Sequence, residues 1–144
     1  MEGEELPFYG DNHEEDLPPE AVNFADLEPD YLGPTWMRDP ETGKLVLPKY
    51  TLGWDVIGWA EAWLADPNDP DKPWQFTREQ ARFVLWWYAI DDKGRWLYRR
   101  GVLQRMKGWG KDPLLAVISL VELLGPCRFD GWAEDGTPIA TDEK

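Results

Sequence analysis

The chain has a single cysteine, Cys127, and a single histidine, His13. One cysteine excludes an internal disulfide, and no Cys/His cluster exists to hold structural zinc. With its one histidine in the acidic N-terminal stretch, the chain has no Ser-His-Asp or Cys-His triad in its main body. No run of about 18 apolar residues occurs, which excludes a helical membrane span, and the N-terminus carries no apolar signal segment. Basic residues are absent from positions 1–30, which hold 11 acidic side chains. Positions 31–144 hold 17 acidic and 15 basic residues, so the net charge of -13 belongs mainly to the N-terminal stretch.

What is plentiful is tryptophan, at ten residues in 144. A chain of this size has room for one modest core, and some of these rings are expected to line a pocket or meet a partner. Hydrophobic residues make up 42% and charged residues 30%, a globular composition. Residues 1–34 combine Glu and Asp with the breakers Pro18, Pro19, Pro29 and Pro34, and read as an extended or disordered acidic arm. Residues 35–144 read as the folded part.

Within that part, Asp39 to Lys44 is a turn signal, followed by the short apolar run Leu45–Leu47. Val56, Trp59, Ala60 and Trp63 recur at helical spacing and predict a helix over 53–65. Asp66 to Asp71 ends it with turn residues. Thr77 and Gln80 have capping-box spacing, ahead of a helix that runs to about Ala89 with Ala81, Val84, Leu85 and Tyr88 on one face. Asp91–Gly94 is a turn. The aromatic and β-branched run Trp96–Gln104 predicts a strand that Gly101 interrupts. A Gly-containing loop follows, then an apolar helix over Leu114–Leu124 that Gly125-Pro126 stops. Cys127–Phe129 begins a further strand, and Asp135-Gly136 marks a turn.

The unit with chemical meaning is strand, Gly108-Trp109-Gly110-Lys111, helix. Glycines let several amides converge on an anion, a helix N-terminus adds its dipole, and a lysine supplies positive charge for β- and γ-phosphates. In the full P-loop pattern the first glycine falls where Arg105 stands. The Ser/Thr that holds magnesium falls where Asp112 stands, and a carboxylate oxygen can take that place. From Lys93 to Lys111 there are seven Lys or Arg and no acid, a run that attracts nucleotides or nucleic acid, or that simply forms a solvated edge. Trp74, Phe76 and Gln80 form a second constellation, because an aromatic ring stacks on adenine and a Gln amide reads a base edge. The same residues also serve as a helix cap and an apolar staple, and both readings stand. Leu85–Asp92, an apolar run that ends in acid, imitates a Walker B strand, but it precedes the loop and sits at a helix end. Asp91 and Asp92 read as turn residues.

The segment Arg99–Ala116, with Arg105, Lys107, Gly108, Trp109, Gly110, Lys111 and Asp112 at its centre, resembles the phosphate-loop region of large terminase subunits from tailed phages of actinobacteria. The likeness continues through Gly125–Trp132, extends upstream over Trp74–Tyr88, and covers roughly residues 50–138. The fold it implies is α/β, a partial P-loop NTPase domain with an incomplete parallel sheet and flanking helices. It implies ATP with magnesium as ligand, Lys111 as the Walker A lysine, Gly108 and Gly110 as shapers of the loop, Arg105 or Lys107 as an extra basic residue, and Asp112 beside magnesium. It implies adenine contacts from Gln80 with Trp74 or Phe76. The implied partners are the remainder of the large subunit or a split-gene second half, the small subunit and portal, and, indirectly, phage DNA. The implied setting is the cytoplasm of an infected host cell, away from membranes. These 144 residues hold no downstream Walker B acid, catalytic carboxylate or nuclease cluster, so ATP turnover by the chain alone is not expected. The competing reading is a non-enzymatic interaction module that uses the acidic arm and a Trp-rich contact surface.

Overall fold

A computed structural model describes residues 33–144, and the statements below concern those residues. The acidic arm expected over 1–34, apart from its last two positions, and His13 lie outside them.

A 3-10 turn at Pro34–Trp36 leads into a loop closed by an Arg38–Leu45 bridge. Asp39 makes the loop tight: its amide donates to Lys44 O, and its carboxylate accepts from the amides of Glu41 and Thr42. Strand β1 (Tyr50–Thr51) precedes helix α1 (Gly53–Trp63). The hairpin β2 (Ala65–Asp66) and β3 (Asp69–Pro73) occupies the region expected to be a turn. Helix α2 (Arg78–Trp87), strand β4 (Ala89–Ile90) and helix α3 (Lys111–Leu124) follow, and the hairpin β5 (Arg128–Trp132) and β6 (Pro138–Thr141) comes last.

The core is built where three helices meet. Val56 and Ala60 of α1, Val84 of α2 with Tyr88 at its end, and Leu114, Val117 and Val121 of α3 recur at three- or four-residue spacing. All but Val117, at 5% exposure, are 0–1% exposed, and Leu52, Ile90 and Cys127 join them. Strands β1 and β4 pair antiparallel, Tyr50 with Ile90 and Thr51 with Ala89, which ties the start of α1 to the end of α2. Thr51 reinforces this seam: its hydroxyl donates to Leu85 O at 2.5 Å and accepts from the Gly53 amide at 2.9 Å. Trp63, grouped by periodicity with the core stripe of α1, is 76% exposed because it sits in the last turn, beyond the packed face. Helix α3 also carries apolar residues outside its buried stripe: Leu115, Leu120, Leu123 and Leu124 are exposed.

Two expectations from the sequence are corrected. The incomplete parallel sheet does not form among the described residues, where the three sheets are two-stranded and antiparallel. Two of them are hairpins closed by short links, a connection that permits only antiparallel pairing, since parallel strands need a crossover of a dozen or more residues. The strand expected over Trp96–Gln104 is reduced to one bridge, Trp96 with Ile90, plus the Leu97 amide on Ala89 O. Beyond it the segment has no partner strand among the described residues, and Tyr98 and Val102 line a groove instead. Gly101 presses so closely on Trp87 that an added Cβ would lie 2.6 Å from the ring.

Candidate functional site

The site grows from the beginning of α3. Gly110 is the N-cap residue, with φ 96° and ψ 28°, a left-handed conformation that glycine adopts without steric cost. It has no side chain with which to cap the helix. The helical ladder begins with the Leu114 amide on Gly110 O, and the amides of Gly110, Lys111 and Asp112 have no partner among the described residues. Gly108, at φ 87°, bends the preceding loop, and the Trp109 amide donates to Met106 O. Lys111 stands in the first turn of α3, where its ammonium folds back onto the loop and donates to Arg105 O and, at 3.3 Å, to Met106 O. Residues 105–111 therefore close into a ring. An ammonium has three donors, so one remains.

Helix α2 grips this ring from the other side. Its N-terminus is set by the capping box: Thr77 Oγ1 accepts from the Gln80 amide at 3.2 Å, and Gln80 Oε1 accepts from the Thr77 amide at 3.0 Å. The box aims Gln80 Nε2 at Trp109 O, 3.4 Å away. The neighbouring Glu79 accepts from the Arg105 guanidinium and, at 2.8 Å, from Trp109 Nε1. The Arg105 guanidinium lies 4.8 Å from the Trp36 ring centroid and 5.8 Å from that of Trp109, a cation–π sandwich. Arg82 covers Trp36 at 5.4 Å.

Two connected hollows result. The smaller, about 460 Å³, is lined by Trp36, Glu79 and Arg105–Trp109. The larger, about 760 Å³, runs on from it between α2 and the strap 98–106. Lys107 and Asp112 are exposed, and Lys107 has no acidic partner among the described residues. Asp112 is the acidic residue in the first turn of α3. No group of three metal-ligating side chains occurs among the described residues.

The structure thus brings Arg105, Lys107, Gly108, Trp109, Gly110, Lys111 and Asp112 into one loop and helix start, with Gln80 against it. It does not bring Trp74 and Phe76 there as open faces. Trp74 is 6% exposed in the core, edge-on to Phe76 with centroids 5.6 Å apart. The amide of Gln80 is engaged twice, by its own helix cap and by Trp109. Asp91 is the turn residue expected. Its carboxylate accepts from the amides of Arg95 and Lys93 and from Arg95 Nε, bonds that hold it below the ordinary aspartate range. Sequence reasoning missed Glu79, Trp36 and Arg82. The readable signal for Glu79 was its place four residues before Phe83 and eight before Trp87, a second stripe on α2 beside the core stripe.

Over 148 aligned residues the chain is 37% identical to the Gene 13 protein of Mycobacterium phage L5, matching 89% of this chain and 24% of the relative. The chain is homologous to a phage protein. The Gene 13 protein of Mycobacterium phage D29 is also 37% identical, over 150 residues, with 90% of this chain and 24% of the relative covered. The chain spans about a quarter of the length of these curated relatives. No family model matches it, and no solved structure matches it. No helix among the described residues is long and apolar enough to cross a membrane.

Proposed function

We propose that this chain is the nucleotide-binding front section of a phage DNA-packaging terminase large subunit, with the ring 105–111 and the start of α3 as its phosphate cradle. One observation carries the reading: α3 opens at a left-handed Gly110 with three unpartnered amides, and Lys111 stands in the same turn with one donor in reserve. Such a helix start attracts anions through its dipole and its free N–H groups. Lys107 adds positive charge at the rim of the adjoining hollow, where Arg105 is paired with Glu79. Magnesium brought with the nucleotide would meet Asp112. Since the homologous phage proteins are about four times longer, the remaining activities, and the contacts with small subunit, portal and DNA, would depend on further polypeptide.

Titration of the chain with magnesium ATP tests this, by calorimetry and by tryptophan emission, since Trp109 lies in the ring. Binding is expected, and Lys111→Ala should weaken it about tenfold or more, the worth of a charge-assisted hydrogen bond. Absence of binding, or binding that Lys111→Ala leaves unchanged, overturns the reading.

A second reading has its own observation. Trp54 and Trp63 are 59% and 76% exposed, and Leu123 is 69% exposed, which suits a non-enzymatic interaction module. Under that reading nucleotide has no effect.

A further inference from the structure

Glu79, Phe83 and Trp87 stand four residues apart along α2, on one line, with about 6 Å of helical rise between successive members. The first is ionic and tied to Arg105 and Trp109. The other two are aromatic, with ring planes within 4° of parallel and centroids 6.4 Å apart. Facing them is the strap 98–106, which lies on Trp87 at Gly101 and contributes Tyr98. The groove between is about 760 Å³, inside the range of roughly 300–1,000 Å³ typical of small-molecule sites. At one end Arg105 is paired with Glu79 beside Lys107, which lines the adjoining hollow and has no acidic partner among the described residues; the other end is aromatic, with Arg100 on its lining. The ligand chemistry that matches both ends is an anionic group joined to a planar aromatic ring.

The residues that the terminase resemblance would offer to such a ring are engaged elsewhere. Trp74 is core, and Gln80 is held by its cap and by Trp109. The groove, in contrast, shares Trp36, Glu79, Arg105, Met106 and Trp109 with the hollow beside the phosphate cradle, so one molecule can span the two. We infer that a bound nucleotide lays its base in this groove, against Phe83, Trp87 and Tyr98, and not on Trp74 or Phe76. The inference rests on the phosphate-cradle reading above and deepens it.

The test is calorimetric titration of the full chain with magnesium ATP and, separately, with magnesium tripolyphosphate, which has the phosphates and no base. The variants are Tyr98→Ala, Phe83→Leu and Phe76→Leu. ATP is expected to bind at least about fivefold tighter than tripolyphosphate, the lower figure for stacking one base on an aromatic side chain. Tyr98→Ala and Phe83→Leu should each reduce that advantage and leave tripolyphosphate binding unchanged, while Phe76→Leu should preserve it. Tyr98 is 37% exposed and meets the buried Trp86 edge-on, so Tyr98→Ala is checked for folding by circular dichroism and then decides the matter if Phe83→Leu fails to fold. Equal affinity for the two ligands, or an ATP advantage that survives Tyr98→Ala, overturns the groove assignment while the phosphate cradle stands. Failure of both ligands to bind removes the cradle, and the groove assignment with it.

Discussion

Gly110 combines a left-handed backbone with a close neighbour from α2, and Gly110→Ala is the perturbation that measures both. Two costs add. An alanine would have to hold φ at 96°, a left-handed conformation that costs an L-residue about 1–2 kcal/mol. Its Cβ would also lie 2.8 Å from Gln80 Nε2. Gln80 is 5% exposed, and its other amide atom is fixed in the capping box, so the side chain cannot swing aside freely. Relief means giving up the bond to Trp109 O, worth about 1 kcal/mol. The expected loss is about 2–3 kcal/mol, a large share of the roughly 5–15 kcal/mol that stabilises a typical domain. Gly108→Ala is the internal control. Gly108 has φ 87° with nothing within 4 Å of an added Cβ, so it carries only the backbone cost. Urea unfolding followed by far-UV circular dichroism should show both midpoints lowered at constant slope, with Gly110→Ala the worse by about 1 kcal/mol. Equal destabilisation of the two variants would mean that Gln80 does not seat against the loop, and the account of how α2 holds the ring would be wrong.

Glu79→Gln keeps the shape and removes the charge that Arg105 faces. With both side chains about a quarter exposed, at 26% and 28%, solvent screening limits the effect, and a loss of roughly 1–2 kcal/mol in urea unfolding is expected. An unchanged midpoint would show that the pair contributes nothing. Asp91 has its folded-state pKa lowered, chiefly by the Arg95 amide, so its contribution is present above the ordinary aspartate value and is lost as pH falls through the depressed one. Asp91→Asn should therefore destabilise the chain at neutral pH and flatten its loss of stability under acid. A variant whose acid limb matches the parent would refute this.

The helices were legible because each carries two independent signals. In α2 the Thr77/Gln80 box marks the start and the stripe of Val84, Leu85 and Tyr88 marks the buried face. In α3 Gly110 and Gly125 bracket an apolar run. The loop 105–112 was legible for the same reason, as glycines, a lysine and a following helix converge there. Strand pairing was not legible, because it depends on where a partner lies. Trp96–Gln104 has strand composition, yet β4 offers it only Ala89 and Ile90. The burial of individual aromatic rings was not legible for a related reason. Neither Trp74 nor Tyr98 carries a local mark of its burial, and only the tertiary packing puts one in the core at 6% exposure and the other on a groove wall. The Glu79–Arg105 contact joins positions 26 residues apart, so the spacing that puts Glu79 on a stripe of α2 cannot name its partner.

The exposed leucines of α3 would make protein concentration a variable of the fold wherever the chain associates through them. Leu115, Leu120, Leu123 and Leu124 stay in water when the chain is alone, while the inner side of the same helix is sealed. Any association that shields them acts on the folded form and not on the unfolded one, so by mass action it raises the apparent melting point as the solution is concentrated. A dilute sample and a crowded one would then report different stabilities for an identical polypeptide.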